Sequence, residues 1–215
     1  MSGIGRHARR EDAIVEARGV GYRPNGVSVL DDVSVSVFPG EVLAVTGPSG
    51  SGKSSLLALL AGLAEPDSGA VLSSVPDDGI GLVLQAYGLV NLLTAAENVE
   101  VALQARGLPA DRVHSTAASA LESVRLTEVA DHLIEELSGG QQQRVAVARA
   151  LAHAPTMIVA DEVTAELDAH TRDVIVDLLL AAAEAGVAVV LATHDLELAA
   201  RCNRRLALVD GRVAS

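Results

Sequence analysis

Residues 41–57 read EVLAVTGPSGSGKSSLL, and the fold is decided by how this stretch is read. Val42 to Val45 is a short apolar run of the kind that forms a strand buried on both faces. The chain then breaks into Gly47-Pro48-Ser49-Gly50-Ser51-Gly52-Lys53-Ser54-Ser55 and resumes with helical spacing at Leu56, Leu57, Leu59 and Leu60. Strand, glycine turn and helix start, in that order, make G-x-x-x-x-G-K-[ST] a phosphate-binding loop. Glycines let the backbone wrap an anion, the first-turn N–H groups point at it, and the helix dipole favours its charge. Lys53 is the only lysine, set against fifteen arginines. A compact ammonium suits a tight phosphate cradle where a wide planar guanidinium does not. The stretch therefore predicts a nucleotide site, with Lys53 at the β- and γ-phosphates and the Ser54 hydroxyl on Mg²⁺.

Composition bounds the rest. A chain of 215 residues, 49% apolar, has material for one large core, in one domain or one domain with two lobes. Its net charge of −12 argues against a sequence-independent nucleic-acid binder, so no nucleic-acid partner is expected. The basic run Arg6-His7-Ala8-Arg9-Arg10 reads as part of a solvated tail over residues 1–12. A single cysteine, Cys202, excludes internal disulfides and suits a reducing compartment. The first ten residues lack the apolar core of a signal peptide. The longest apolar region, Val174 to Thr193, contains Asp177, Glu184 and Gly186 and reads as a helix followed by a strand, not a membrane span.

Along the chain, strands are expected at Ile14–Val20, at Val33, Val35 and Val37 by their alternation with serine, at Ala70–Leu72 and at Ile80–Leu84. From Ala86 the character turns helical. Thr94-Ala95-Ala96-Glu97 fits a capping box, Pro109 suits a helix start, and Ser138 is a good N-cap for a helix through Val145, Ala148 and Leu151. Met157 to Ala160 and Val187 to Ala192 read as buried strands around a helix capped by Asp168. A last helix starts at Asp195, and a hairpin turns at Asp210-Gly211. The expected architecture is an α/β core with a mainly parallel sheet and an antiparallel edge. The core spans 13–85 and 153–215, and a helical subdomain spans 86–152.

Three constellations add chemistry. Met157 to Glu162 is an apolar strand ending in two acids, where Asp161 can hold a hydrated metal and Glu162 can polarise an attacking water. Gln85 and His194 each stand at the C-terminal end of an expected strand, where ligands gather in open α/β sheets. Gln85 could contact the metal or the water, and His194 the γ-phosphate. Tyr22 could stack on adenine or simply pack against the core. Finally, Leu137-Ser138-Gly139-Gly140-Gln141 places a second set of N–H groups at a helix N-terminus, a second anion site in a chain with one phosphate loop. The simplest use for it is a nucleotide held by a partner subunit.

Over essentially its whole length the sequence resembles the ATP-binding subunits of ABC transporters. Gly47 to Ser54 matches the family's Walker A loop, and Gln85 matches its Q-loop glutamine. Leu137 to Gln141 is the signature LSGGQ. Met157 to Asp161 matches Walker B, with Glu162 as the catalytic glutamate. Glu166-Leu167-Asp168 matches the D-loop and His194 the switch histidine, while Tyr22 fits the adenine-stacking aromatic. The runs LTAAENVEVALQARG and LSGGQQQRVAVARAL are most similar to the lipoprotein-release and macrolide-export branch.

That resemblance implies an ATPase using Mg²⁺, held by Ser54, Gln85 and Asp161. It also implies a head-to-tail dimer in which each ATP lies between Gly47 to Ser55 of one chain and the signature and D-loop of the other. A transmembrane permease partner is implied, with the chain on the cytoplasmic face of the membrane, and Leu89, Val90, Leu92 and Leu93 are the expected contact. Use of the same engine for cell division or DNA repair, or as a regulatory cassette, is the alternative. Two departures stand out. Val163 occupies the position where the family usually has proline, which frees the turn behind Glu162, and the region from Ala70 to Gly79 is shorter than usual.

Overall fold

The computed structural model describes residues 13–84, 88–164 and 167–214. Its first half runs β1 (Val15–Tyr22), β2 (Leu30–Val37), β3 (Val42–Thr46), α1 (Lys53–Leu60), β4 (Ser68–Ser73), β5 (Ile80–Val83) and α2 (Ala95–Ala105). Then follow α3 (Ala110–Ser123), α4 (Gly139–Ala152), β6 (Met157–Asp161), α5 (Ala169–Glu184), β7 (Ala188–Thr193), α6 (Leu196–Arg201), β8 (Arg204–Val209) and β9 (Arg212–Val213). Neither residues 1–12 nor Gln85 and Glu166 fall within the described residues.

Two sheets form for different reasons. Strands β3, β6 and β7 are buried at every position, as strands covered by helices on both faces must be. They lie at the centre of a six-stranded sheet ordered β5-β6-β7-β3-β8-β9, parallel except for β9. Strand β2 buries Val33, Val35 and Val37 while the residues between them reach the surface. It joins the antiparallel sheet β2-β1-β4.

Side chains of the central strands alternate between two cores. Leu43, Val45, Met157, Val159 and Val190 pack with Leu56, Leu57, Leu59 and Leu60 of α1 and with the antiparallel sheet. Val42, Ala44, Ile158, Ala160 and Leu191 point the other way, into a core shared with α2–α6. Val99, Leu103, Val113, Ala117, Leu121 and Val145 join α2, α3 and α4 in that second core, each at most 3% exposed. Burial of each larger side chain contributes about 1.5–3 kcal/mol.

The expected helix starts are present. Thr94 and Glu97 form a reciprocal capping box on α2, and Ser138 and Gln141 form another on α4. Three details differ from the sequence reading. Tyr22 is the last residue of β1, paired with Leu30, because the Val29 amide donates to the Tyr22 carbonyl at 2.9 Å and draws β2 alongside it. Strand β5 ends at Val83, and Leu84 is 37% exposed. Strand β8 is more than a hairpin arm. It starts at Arg204 and pairs in parallel with β3, a register fixed by Val42 N–H donating to Asn203 Oδ1 at 2.7 Å. Among the described residues no helix is long and apolar enough to cross a membrane.

Candidate active site

Register brings the site together. Thr46 pairs with Thr193 and Asp161 with Ala192, so the loops leaving β3, β6 and β7 emerge side by side. The Glu162 amide donates to the Ala192 carbonyl at 3.1 Å, which ties the second loop to the third. Together these loops border a cleft of about 590 Å³, lined by Val29, Ser49, Gly50, Gly52, Lys53, Ser54, Ser55, Glu162 and His194.

The glycine requirement is visible at two points. Gly52 is the N-cap of α1 with φ at 99°, and a Cβ there would lie 2.9 Å from the Val29 carbonyl oxygen. At Gly47, φ is 152° and a Cβ would lie 2.2 Å from the Leu208 oxygen. Lys53, the first residue of α1, is 8% exposed, and its ammonium donates to the carbonyls of Gly47 at 3.0 Å and Pro48 at 3.1 Å. Its nearest carboxylate is Glu162, with Oε1 at 3.8 Å. A buried cation needs such partners, and these hold it beside the exposed amides of the loop.

Glu162 adopts a left-handed backbone, φ 51°, at the point where the chain leaves β6. Such a conformation in a non-glycine residue persists only where surrounding contacts impose it. Val163, 1% exposed in the α2–α6 core, is one anchor, and the hydrogen bond to Ala192 is the other. The other oxygen of the Glu162 carboxylate lies 2.9 Å from His194 Nδ1. Asp161, the last residue of β6, is 9% exposed, and its Oδ1 has no hydrogen-bond partner among the described residues. A buried oxygen in that state fits a cation held through a carboxylate and water, the usual style of Mg²⁺ binding.

Not every expected residue lines this cleft. Tyr22 is half-buried against the core of α1 and the antiparallel sheet and lies outside the lining. Val29 lines the cleft instead, a residue whose place in a turn gave no sequence signal. Leu137 to Gln141 also lies outside it. Leu137 is buried, Ser138 and Gly139 are exposed, and Gln142 Nε2 braces the bend by donating to the carbonyls of Ile134 at 3.0 Å and Leu137 at 2.9 Å. A Cβ on Gly140 would stand 3.3 Å from Leu167, so the start of α4 adjoins the segment that enters α5. Asp168 caps α5, and the hydroxyl and amide of Thr171 hold its carboxyl below the usual carboxylate range.

The sequence signature of the ABC transporter family matches residues 30–165. The chain belongs to the ABC transporter family. It is an ATP-binding cassette and an ATPase of that family. It is 41% identical over 211 residues to the ABC transporter ATP-binding protein YbbA of Escherichia coli K12, covering 91% of this chain and 92% of that one. Identity to the lipoprotein-releasing system ATP-binding protein LolD 1 of Rhodopirellula baltica is also 41%, over 200 residues, 86% of this chain and 87% of the relative. Among solved structures, the dimeric post-hydrolysis state of the ATP-binding cassette MJ0796 bound to ADP and Pi superimposes with a TM-score of 0.86. It shares 35% identity and covers 94% of this chain and 97% of that one. The part of this cleft formed by Ser49 to Ser55, together with Glu162, falls within the residues that match the family.

Proposed function

We propose that this cassette hydrolyses ATP within a head-to-tail dimer and passes the resulting motion to a transmembrane permease. The observation that carries the reading is the separation, in one chain, of a complete phosphate cradle from an exposed second helix N-terminus at Ser138 to Gln141. Each ATP would lie between Gly47 to Ser55 of one subunit and Leu137 to Gln141 of the other. Asp168 would face the same junction, and Tyr22 or Val29 would lie toward the base.

Within the cradle, Lys53 and the loop amides bind and orient the phosphates. Glu162 accepts the proton of the attacking water, and His194 holds that carboxylate in place and faces the γ-phosphate. Ser54 and Asp161, with Gln85, would hold Mg²⁺, which neutralises charge on the β- and γ-phosphates when bound. Shared γ-phosphate contacts favour the closed dimer, and hydrolysis removes that differential contact so the dimer opens. Valine at position 163 keeps Glu162 in place through burial and slows turnover only modestly.

Residues 13–85 and 153–215 form the ATP-binding core in this reading, and residues 86–152 the lobe that engages the permease. Val90 and Leu92, 51% and 79% exposed, stand at the tip of the 88–94 loop. Buried Asn98 shapes that loop, bonding the Val90 amide at 2.8 Å and the carbonyls of Val90 and Thr94 at 3.1 and 2.9 Å. The chain would act at the cytoplasmic face of the membrane. Light scattering of Glu162→Gln with and without ATP and Mg²⁺ tests the dimer. Doubling of mass only with ATP supports it, whereas a monomer that binds ATP at saturation without pairing rejects closure by this chain alone.

A further inference from the structure

The turn between β8 and β9 does not stand free in solvent. Its Gly211 amide donates to the carbonyl of Ser51, in the middle of the phosphate loop, at 3.2 Å. The Gly211 carbonyl accepts from the Asp31 amide at 2.9 Å, and Arg212 pairs with the Asp31 carboxylate, its Nε at 3.1 Å. Val29, two residues before Asp31, lines the ATP cleft, while Asp210, Gly211 and Arg212 stand behind it.

The Val29 carbonyl is the point of closest approach. A Cβ on Gly211, where φ is +76°, would lie 2.4 Å from that oxygen, and a Cβ on Gly52 would lie 2.9 Å from it. The cleft wall is thus pressed between the N-cap of the phosphate-loop helix and the turn at Gly211. Inside the loop the Ser51 amide donates to the Pro48 carbonyl at 3.2 Å, and Lys53 holds the Gly47 and Pro48 carbonyls. The hydrogen bond from Gly211 to the Ser51 carbonyl ties this loop to the rest of the fold, fixing amides that must already be aimed at an anion. Fixing them in advance lowers the ordering cost of binding.

We infer that the Asp210–Arg212 turn positions the nucleotide cradle, with Gly211 as a positioning residue for ATP. The inference rests on the cleft being the ATP site, which wild-type binding checks separately in the same titration. A side chain at Gly211 would push the Val29 wall toward Gly52 at the start of α1 and strain the hydrogen bond to the Ser51 carbonyl, weakening ground state and transition state alike. KM for ATP then rises while kcat at saturation holds.

The test compares Gly211→Ala with Gly62→Ala. Gly62 has a similar φ of +68°, but a Cβ there meets nothing within 4 Å, so it carries the backbone strain without the crowding. Both variants should lower the melting temperature. Only Gly211→Ala should weaken ATP binding, by about tenfold or more, and raise KM in step, with kcat within about twofold. Equal affinities in the two variants would overturn the inference. Arg212→Ala and Asp31→Ala give a second arm that does not alter the backbone. Each should weaken ATP about threefold, and the double substitution no further, since both remove one shared contact. Wild-type affinity in all three would overturn it equally.

Discussion

His194 Nδ1 lies 2.9 Å from one carboxylate oxygen of Glu162, and Lys53 Nζ lies 3.8 Å from the other. The carboxylate is therefore held between the loop that follows β7 and the first residue of α1, although its own loop follows β6. Three segments far apart in sequence share one acid.

From this arrangement, Glu162→Gln should keep ATP affinity and lower kcat by about 10²–10⁴, since the shape remains and the proton acceptor is gone. His194→Ala should lower kcat by about 10–10² while leaving Glu162 present but free to rotate. Single-turnover hydrolysis beside equilibrium ATP binding separates the two effects. Unchanged single-turnover rates in Glu162→Gln would remove it from the mechanism.

Lys53 should tolerate no replacement. Lys53→Ala deletes a charge that spans the Gly47 and Pro48 carbonyls and the phosphates, a loss of about 2–4 kcal/mol of ATP binding. Lys53→Arg should rescue little, because its fork does not fit an 8% exposed site shaped around an ammonium. Calorimetric titration with ATP reads both, and near-normal binding by the arginine variant would contradict the steric argument.

Pairing of two chains makes a sharper prediction. Lys53→Ala and Ser138→Arg should each be nearly inactive alone, yet mixing them should restore hydrolysis. In the mixed dimer the intact phosphate loop of one chain meets the intact signature of the other. Loss of the Ser138 cap should also cost about 1 kcal/mol of stability, seen as a lower denaturation midpoint. A mixture no more active than its components would place the whole site within one chain.

His153 should make stability fall in mild acid. It caps α4 at the C-terminus, and burial, followed by the nearby charge of Arg106, lowers its pKa from 6.5 to about 4, with a hydrogen bond to the Arg149 backbone and the charge of Asp78 opposing. Between those values the unfolded chain binds a proton that the folded chain does not. The unfolded state is thereby favoured, so stability drops as pH falls from about 6.5 to 4 and levels below. Because the ring is only half-buried, the loss should be about 1–2 kcal/mol, less than the full shift would give. Urea denaturation of wild type and His153→Gln across this range checks it. The two curves should converge near neutrality and diverge in acid.

Much of this was legible without coordinates. The phosphate loop was readable because its chemistry is local: glycine freedom, a strand, a helix start and one lysine lie within seventeen consecutive residues, Glu41 to Leu57. Caps at Thr94, Ser138, Asp168 and Asp195 were readable for the same reason, since a cap bonds an amide only two or three residues away. The role of Val29 was hidden. Nothing in an exposed-looking turn residue tells which wall it will form once β1 and β2 pair.

What the sequence alone determined is the family of the cassette and the local elements that present its candidate groups, because period, turn and cap are short-range properties of the chain. Only the tertiary structure decided how those groups meet. Parallel register between β3, β6 and β7 sets His194 on Glu162, and parallel pairing of β8 with β3 brings Gly211 against Ser51 and Val29. Such contacts depend on which strands become neighbours. That choice is made by burying the whole core at once, and no single segment encodes it.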